Sequence, residues 1–103
     1  MNSTWADKGW SISSEERPAA IEIVLVKRSV ILPWTQFLYA DGSDEEIRLV
    51  FATHDVTIRG AGLIPLLTDL AAQRVTKLQE AIRPDRFSGS AVRLVREIII
   101  RPN

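Results

Sequence analysis

The chain has 103 residues, of which 46% are hydrophobic and 25% are charged, and its thirteen basic and thirteen acidic side chains balance. This composition is typical of a folded globular domain and excludes an intrinsically disordered chain. The sequence contains no cysteine, which excludes disulfides, thiolate nucleophiles and cysteine-ligated metal centres.

The charges are distributed unevenly along the chain. Residues 1–46 carry four basic and eight acidic side chains, whereas residues 47–103 carry nine basic and five acidic ones. This asymmetry indicates either an anion-facing surface in the second half or opposite charges that meet in the folded domain. The first residues do not form a basic and then apolar leader, and the longest apolar runs are too short to span a membrane. We therefore expect a cytoplasmic location.

Residues 1–18 are polar and mixed in composition, and we expect an irregular lead-in followed by a single α+β domain over residues 19–103. Two tryptophans, Trp5 and Trp10, lie in this lead-in. Because large aromatic side chains are unusual in a disordered arm, both either fold back onto the core or anchor a partner protein.

Residues 20–59 have the pattern of a mostly antiparallel β-meander. A run rich in Ile and Val ends at Pro33, since proline cannot donate a hydrogen bond to a ladder. The Asp41-Gly42 pair between two further β-like runs predicts a hairpin. In the second of these runs Ile47 and Leu49 share one face, as the two-residue period of a strand requires.

Residues 62–82 have the pattern of one long amphipathic helix, and residues 92–100 that of a closing strand. The helix prediction is based on apolar residues that recur at three- and four-residue steps, namely Leu63, Leu66, Leu67, Leu70, Ala71, Val75, Leu78 and Ile82. The expected architecture is an α+β fold in which this helix packs on one face of a mostly antiparallel sheet or roll.

The second face of the expected sheet carries apolar residues that one helix cannot cover. They are Val24, Val26, Val50, Val95 and Ile99. Either the sheet curls into a roll, or a second chain covers this face, most simply in a twofold dimer.

A glycine turn, Gly60-Ala61-Gly62, joins a β-like run to the expected helix. It matches part of the dinucleotide-binding pattern G-x-G-x-x-G, but Pro65 stands at the third glycine position and the preceding hairpins do not fit that fold. One interpretation is structural, because glycine permits a sharp turn. The other is a small-anion site, for phosphate or a nucleotide, formed by Arg59 and the amides of the turn at a helix N-terminus.

Support for catalysis in this sequence is weak. His54 is the only histidine, and the adjacent Asp55 would point to the opposite face of a strand, so the two cannot form an oriented relay. No spacing of carboxylates around His54 indicates a metal site, and no pattern implies a cofactor.

Arginines near the C-terminus suggest weak nucleic-acid binding as a further alternative. Arginine interleaved with an aromatic residue suits phosphate contact and base stacking, although a balanced net charge disfavours non-specific binding. The residues concerned are Arg83, Arg86, Phe87, Arg93, Arg96 and Arg101.

The function that we predict is non-catalytic: a protein-interaction or self-assembly module, with Trp5, Trp10 and Ile99 as candidate contact residues. Anion binding at residues 60–63 is the alternative, and nucleic-acid binding is the second alternative.

Overall fold

The computed structural model of the chain describes residues 9–13, 17–80 and 94–103. Over these residues the chain forms eight β-strands, one α-helix and one short 3-10 helix. In chain order they are β1 (Trp10–Ile12), β2 (Ala20–Val24), β3 (Ser29–Pro33), the 3-10 helix (Trp34–Gln36), β4 (Phe37–Gly42), β5 (Glu46–Phe51), β6 (His54–Gly60), α1 (Ile64–Ala71), β7 (Val75–Gln79) and β8 (Val95–Pro102).

The strands form two four-stranded sheets. Sheet I has the strand order β1-β7-β2-β3, and sheet II has the order β4-β5-β6-β8. All neighbours are antiparallel except β2 and β7, which are parallel. The chain passes from sheet I to sheet II through Pro33 and the 3-10 helix, which places β3 and β4 on the same side of the molecule. On the opposite side, Gly9 next to β1 lies against Val95 of β8.

The hydrophobic core lies between the two sheets and includes one side of α1. Because successive strand residues point to opposite faces, every second residue of β2, β5 and β6 enters this core. Trp34, Phe37 and Phe51 form an aromatic cluster with ring centroids 5.3–5.8 Å apart. The side chains with no exposed surface are Ile21, Ile23, Ile47, Leu49, Phe51, Val56, Ile58, Leu63, Leu66, Leu70, Val75, Leu78 and Val95.

The α+β fold class is confirmed, and so is the hairpin at Asp41-Gly42, where β4 and β5 pair. The expected meander over residues 20–59 is divided between the sheets, with the β2–β3 hairpin in sheet I and β4, β5 and β6 in sheet II. Of the apolar residues expected on the second face, Val95 is buried in the core between the two sheets, Val50 is buried on the outer face of sheet II, and Val26 is 53% exposed in the β2–β3 turn. The closing strand expected over residues 92–100 is β8, and residues 92–93 lie outside the described part.

The prediction of one helix over residues 62–82 is wrong for residues 72–80, and residues 81–82 lie outside the described residues. The helix ends at Ala71, and Gln73 takes a left-handed conformation with φ of 58°. The amide of Gln73 donates to the Leu70 carbonyl and that of Arg74 to the Asp69 carbonyl, which together form a Schellman motif. The left-handed residue of a Schellman motif is usually glycine, so Gln73 gives no signal in the sequence that the helix ends here.

Residues 75–79 instead form β7, and a β-bulge explains why they resemble a helix. In the pairing with β1, Trp10 lies opposite Leu78 but Ile12 lies opposite Val75, so Thr76 is an extra residue on β7. The bulge turns both Val75 and Leu78 toward the core. Their three-residue spacing is also the spacing of a helical stripe, which is why this strand continues the helical pattern of the residues before it.

The lead-in expected over residues 1–18 is not irregular throughout, because Trp10–Ile12 form β1 at the edge of sheet I. Trp10 is 1% exposed, and its indole N–H donates to the Asp69 carboxylate at 3.1 Å. Burial of this large aromatic surface draws the segment into the fold. Within the described ranges, α1 is the only α-helix, and no helix there is long enough to cross a membrane.

Candidate functional sites

The glycine turn after β6 is shaped by close contact with β8. A Cβ atom at position 60 would collide with the backbone carbonyl of Leu94, which accepts a hydrogen bond from the Ala61 amide at 3.0 Å. Gly62 has φ of 67°, a left-handed conformation that residues with a side chain rarely adopt. Both glycines therefore have a structural role, because they permit the sharp turn and its close contact with β8.

The amides of this turn are already bonded to Asp44, in the loop between β4 and β5. The Gly62 amide donates to Oδ2 of Asp44 and the Ile64 amide to Oδ1, each at 3.2 Å. The Leu63 amide donates to the Asp44 backbone carbonyl at 3.0 Å. Asp44 thus supplies the negative charge that a helix N-terminus favours. An external anion would have to displace it.

Arg59, the side chain proposed to complete the anion site, is engaged by acidic neighbours. Its guanidinium lies 3.5 Å from the carboxylate of Glu46 and 3.5 Å from that of Glu97. These three residues, with Glu45 and Arg96, line an open groove of about 450 Å³. Three carboxylates face two guanidinium groups there, so the groove disfavours an added anion.

His54 and Asp55 are adjacent in β6 and do not act together. The His54 imidazole Nδ1 lies 2.8 Å from the Thr53 hydroxyl, whereas the Asp55 carboxylate pairs with Arg48 at 2.7 Å on the outer face of sheet II. The hydrogen bond that the Arg48 guanidinium donates to the Asp55 carboxylate raises the pKa of Arg48 above its ordinary value. Within the described residues no His, Asp and Glu side chains gather in a group that could hold a metal ion.

The residues of the nucleic-acid hypothesis are only partly described. Arg83, Arg86, Phe87 and Arg93 lie outside the described residues. Arg96 lines the groove beside Arg59. Arg101 is exposed and lies opposite Asp55 in the pairing of β6 with β8.

The three candidate contact residues have different environments. Trp5 lies outside the described residues. Trp10 is buried in the core, where it has no surface to offer to a partner. Ile99 is half-buried on the outer face of sheet II, opposite Thr57.

Sequence reasoning missed the exposed apolar side chains of the edge strands. In the described part of the chain, most exposed large hydrophobic residues lie on strands at a sheet edge: Ile12 on β1 (38% exposed), Ile31 on β3 (66%), and Leu38 (60%) and Tyr39 (45%) on β4. Pro33 gave the available signal, because proline within a sheet favours an edge strand.

No protein-family model, no curated protein and no solved structure matches the chain.

Proposed function

We propose that this chain is a non-catalytic self-assembly module that binds protein strands at the edges of its sheets. The observation that carries the proposal is the position of the exposed apolar side chains, which are concentrated on edge strands. A strand at an edge presents backbone N–H and C=O groups to a neighbour, and exposed apolar side chains beside them favour pairing with another chain.

The outer face of sheet II supports an edge rather than a face as the contact. Charged residues on this face pair with one another across the strands, as in the Arg48–Asp55 pair at 2.7 Å and the two contacts of Arg59, and the apolar residues between them, Val50 and Ile99, are buried and half-buried. Exposed ion pairs of this kind keep a sheet face hydrated and contribute about 0–1 kcal/mol each to stability.

The edges differ in how well they are protected. On β8 the Ile98 amide donates to the Glu80 carboxylate at 3.0 Å. Arg96 and Glu97 place charges on this strand, and Pro102 has no N–H to donate. Strand β4 contains a bulge between Phe37 and Tyr39 and lies next to α1. Strand β3 has five residues with no charge among them. Charge, bulges and a covering helix are among the usual means by which edges avoid association, and β3 has none of these three, although Pro33 removes one backbone donor at its end.

A cytoplasmic setting is part of the proposal, because a chain without cysteine gains nothing from an oxidising compartment. Anion binding at residues 60–63 is not adopted, since Asp44 occupies the amides that would hold the anion.

Sedimentation equilibrium over a range of concentrations tests this proposal. An edge-to-edge contact buries little surface, so we expect a weak association that becomes visible only at high protein concentration. Masses above the 11.6 kDa of the monomer support the proposal. A monomer over the whole range would overturn it.

A further inference from the structure

Glu80 directly follows β7, at a place where sheet I lies next to β8 of sheet II. Its backbone amide donates to the Val24 carbonyl at 2.9 Å, which continues the parallel pairing of β2 and β7 by one residue. This bond fixes the backbone of Glu80 beside the end of β2. The half-buried side chain of Glu80 reaches from there to β8.

The carboxylate of Glu80 accepts two backbone hydrogen bonds, one from each sheet's part of the chain. The Val26 amide, in the β2–β3 turn, donates to Oε1 at 3.3 Å. The Ile98 amide, on the outer side of the edge strand β8, donates to Oε2 at 3.0 Å. One side chain therefore joins a turn of sheet I to an edge of sheet II. We name Glu80 with the amides of Val26 and Ile98 the Glu80 clasp.

The two bonds of the Glu80 clasp share one entropic cost. A free glutamate side chain has many rotamers, and holding it in one of them costs conformational entropy. A bond to either amide already restricts these rotamers, so the second bond forms with little further loss of entropy. If one amide is removed, the remaining bond has to offset the whole cost alone. Each bond is therefore stronger in the presence of the other.

We infer that the Glu80 clasp couples the β2–β3 turn to β8, so that a change at the turn alters the protection of the β8 edge. The turn and β8 belong to different sheets, and their backbones do not pair in the described part of the chain. The coupling itself does not require self-association. Its consequence for assembly rests on the function proposed above: a partner strand that distorts the hairpin of β3 also loosens β8.

A proline at position 26 removes one end of the Glu80 clasp and leaves Glu80 intact. Proline has no N–H, so Val26→Pro cannot donate to Oε1. The Leu25 amide donates to the Arg28 carbonyl across the turn, which places Val26 at the first central position, where proline is favoured in type I and type II turns. Gln73 is the only described non-glycine residue with a positive φ, so Val26 has the sign of φ that proline requires.

Hydrogen exchange of the Ile98 amide, followed by NMR at a concentration at which the protein is monomeric, measures the coupling. We expect this exchange to accelerate about three- to tenfold in Val26→Pro. Val26→Ala is the matched control, because it removes the valine side chain but keeps the amide, and exchange at Ile98 should stay at the rate of the parent. The amide of Ile99 faces β6 and reports the stability of the sheet itself.

An Ile98 amide that exchanges at the parent rate in Val26→Pro would overturn the inference. An equal acceleration at Ile98 and Ile99 would do the same, because it would show a general loss of stability. The route is tested in a Glu80→Ala background, where Val26→Pro should not accelerate exchange at Ile98 any further. A further acceleration there would mean that the turn acts on β8 without Glu80.

Val26→Gly provides the test if the proline variant does not fold. Glycine keeps the amide but loosens the turn, so coupling predicts exchange at Ile98 about twofold or more faster than in Val26→Ala. Equal rates in these two variants would overturn the inference. Because all of these measurements use the monomer, a failure of the coupling leaves the self-assembly proposal standing, and a parent protein that never associates leaves the coupling standing.

Discussion

The carboxylate of Asp44 binds the amides at the start of α1, where an anionic ligand would otherwise bind. Its removal should therefore lower the stability of the protein. Its two carboxylate oxygens accept hydrogen bonds from the Gly62 and Ile64 amides at 3.2 Å. The residue at the N-cap position, Leu63, has no side-chain acceptor of its own. Loss of a side-chain cap typically costs about 1 kcal/mol, and loss of a negative charge at a helix N-terminus adds about 0.3–1 kcal/mol.

We expect Asp44→Ala to lower the free energy of unfolding by about 1–2 kcal/mol. For a domain of this size that corresponds to a fall in Tm of roughly 5–10 °C. Asp44→Asn is the matched control, because it keeps one acceptor oxygen and loses the charge, and we expect roughly half of the effect. Urea unfolding, followed by the fluorescence of the buried Trp10 and Trp34, measures these differences.

The same variants separate the structural role of the turn from anion binding. With Asp44 in place, phosphate should leave the stability of the parent protein unchanged. In Asp44→Ala the freed amides should bind phosphate weakly, so that phosphate restores part of the lost stability. An Asp44→Ala protein as stable as the parent would refute the capping role. Phosphate stabilisation of the parent protein, through residues 60–63, would refute the conclusion that Asp44 fills the site.

Three further substitutions test particular contacts by the same unfolding measurement. Gly60→Ala should cost about 1–3 kcal/mol, because the new Cβ atom meets the Leu94 carbonyl and the backbone must move; a neutral effect would mean that β8 does not pack against the turn. Trp10→Phe should cost about 1–3 kcal/mol through the lost hydrogen bond to Asp69, and a smaller cost would indicate that the indole N–H is satisfied elsewhere. Glu80→Gln should lower the free energy of unfolding by about 1–2 kcal/mol and accelerate hydrogen exchange at the Ile98 amide, which donates a hydrogen bond to the Glu80 carboxylate at 3.0 Å. Unchanged exchange at this amide would count against the protection of β8.

Local patterns in the sequence were sufficient for much of the fold. The Asp41-Gly42 pair and the alternation through Ile47 and Leu49 defined the β4–β5 hairpin, because turn chemistry and strand period are local properties. The limit appeared at β7. There the bulge at Thr76 produced a helix-like spacing, and it exists only because β1, more than sixty residues away, pairs with β7.

Prediction of the candidate site from the sequence was limited in the same way. Glycines and a nearby arginine indicated an anion site after β6, yet the anion comes from Asp44, eighteen residues before Gly62 in the chain. The edge position of β3 was also hidden, since the composition of the run from Ile21 to Pro33 indicates strands but not their place in a sheet. Whether a strand lies at an edge depends on the order of strands in the sheet, which no local pattern contains.

Sedimentation velocity of the parent protein beside Ile31→Lys and Val26→Lys tests edge-mediated association most directly. Both substitutions replace an exposed apolar side chain with the same charge, but only position 31 lies on the edge strand β3. We expect the parent and Val26→Lys to associate with rising concentration and Ile31→Lys to remain monomeric. Equal association of all three proteins, or a monomeric parent, would contradict a function based on this edge.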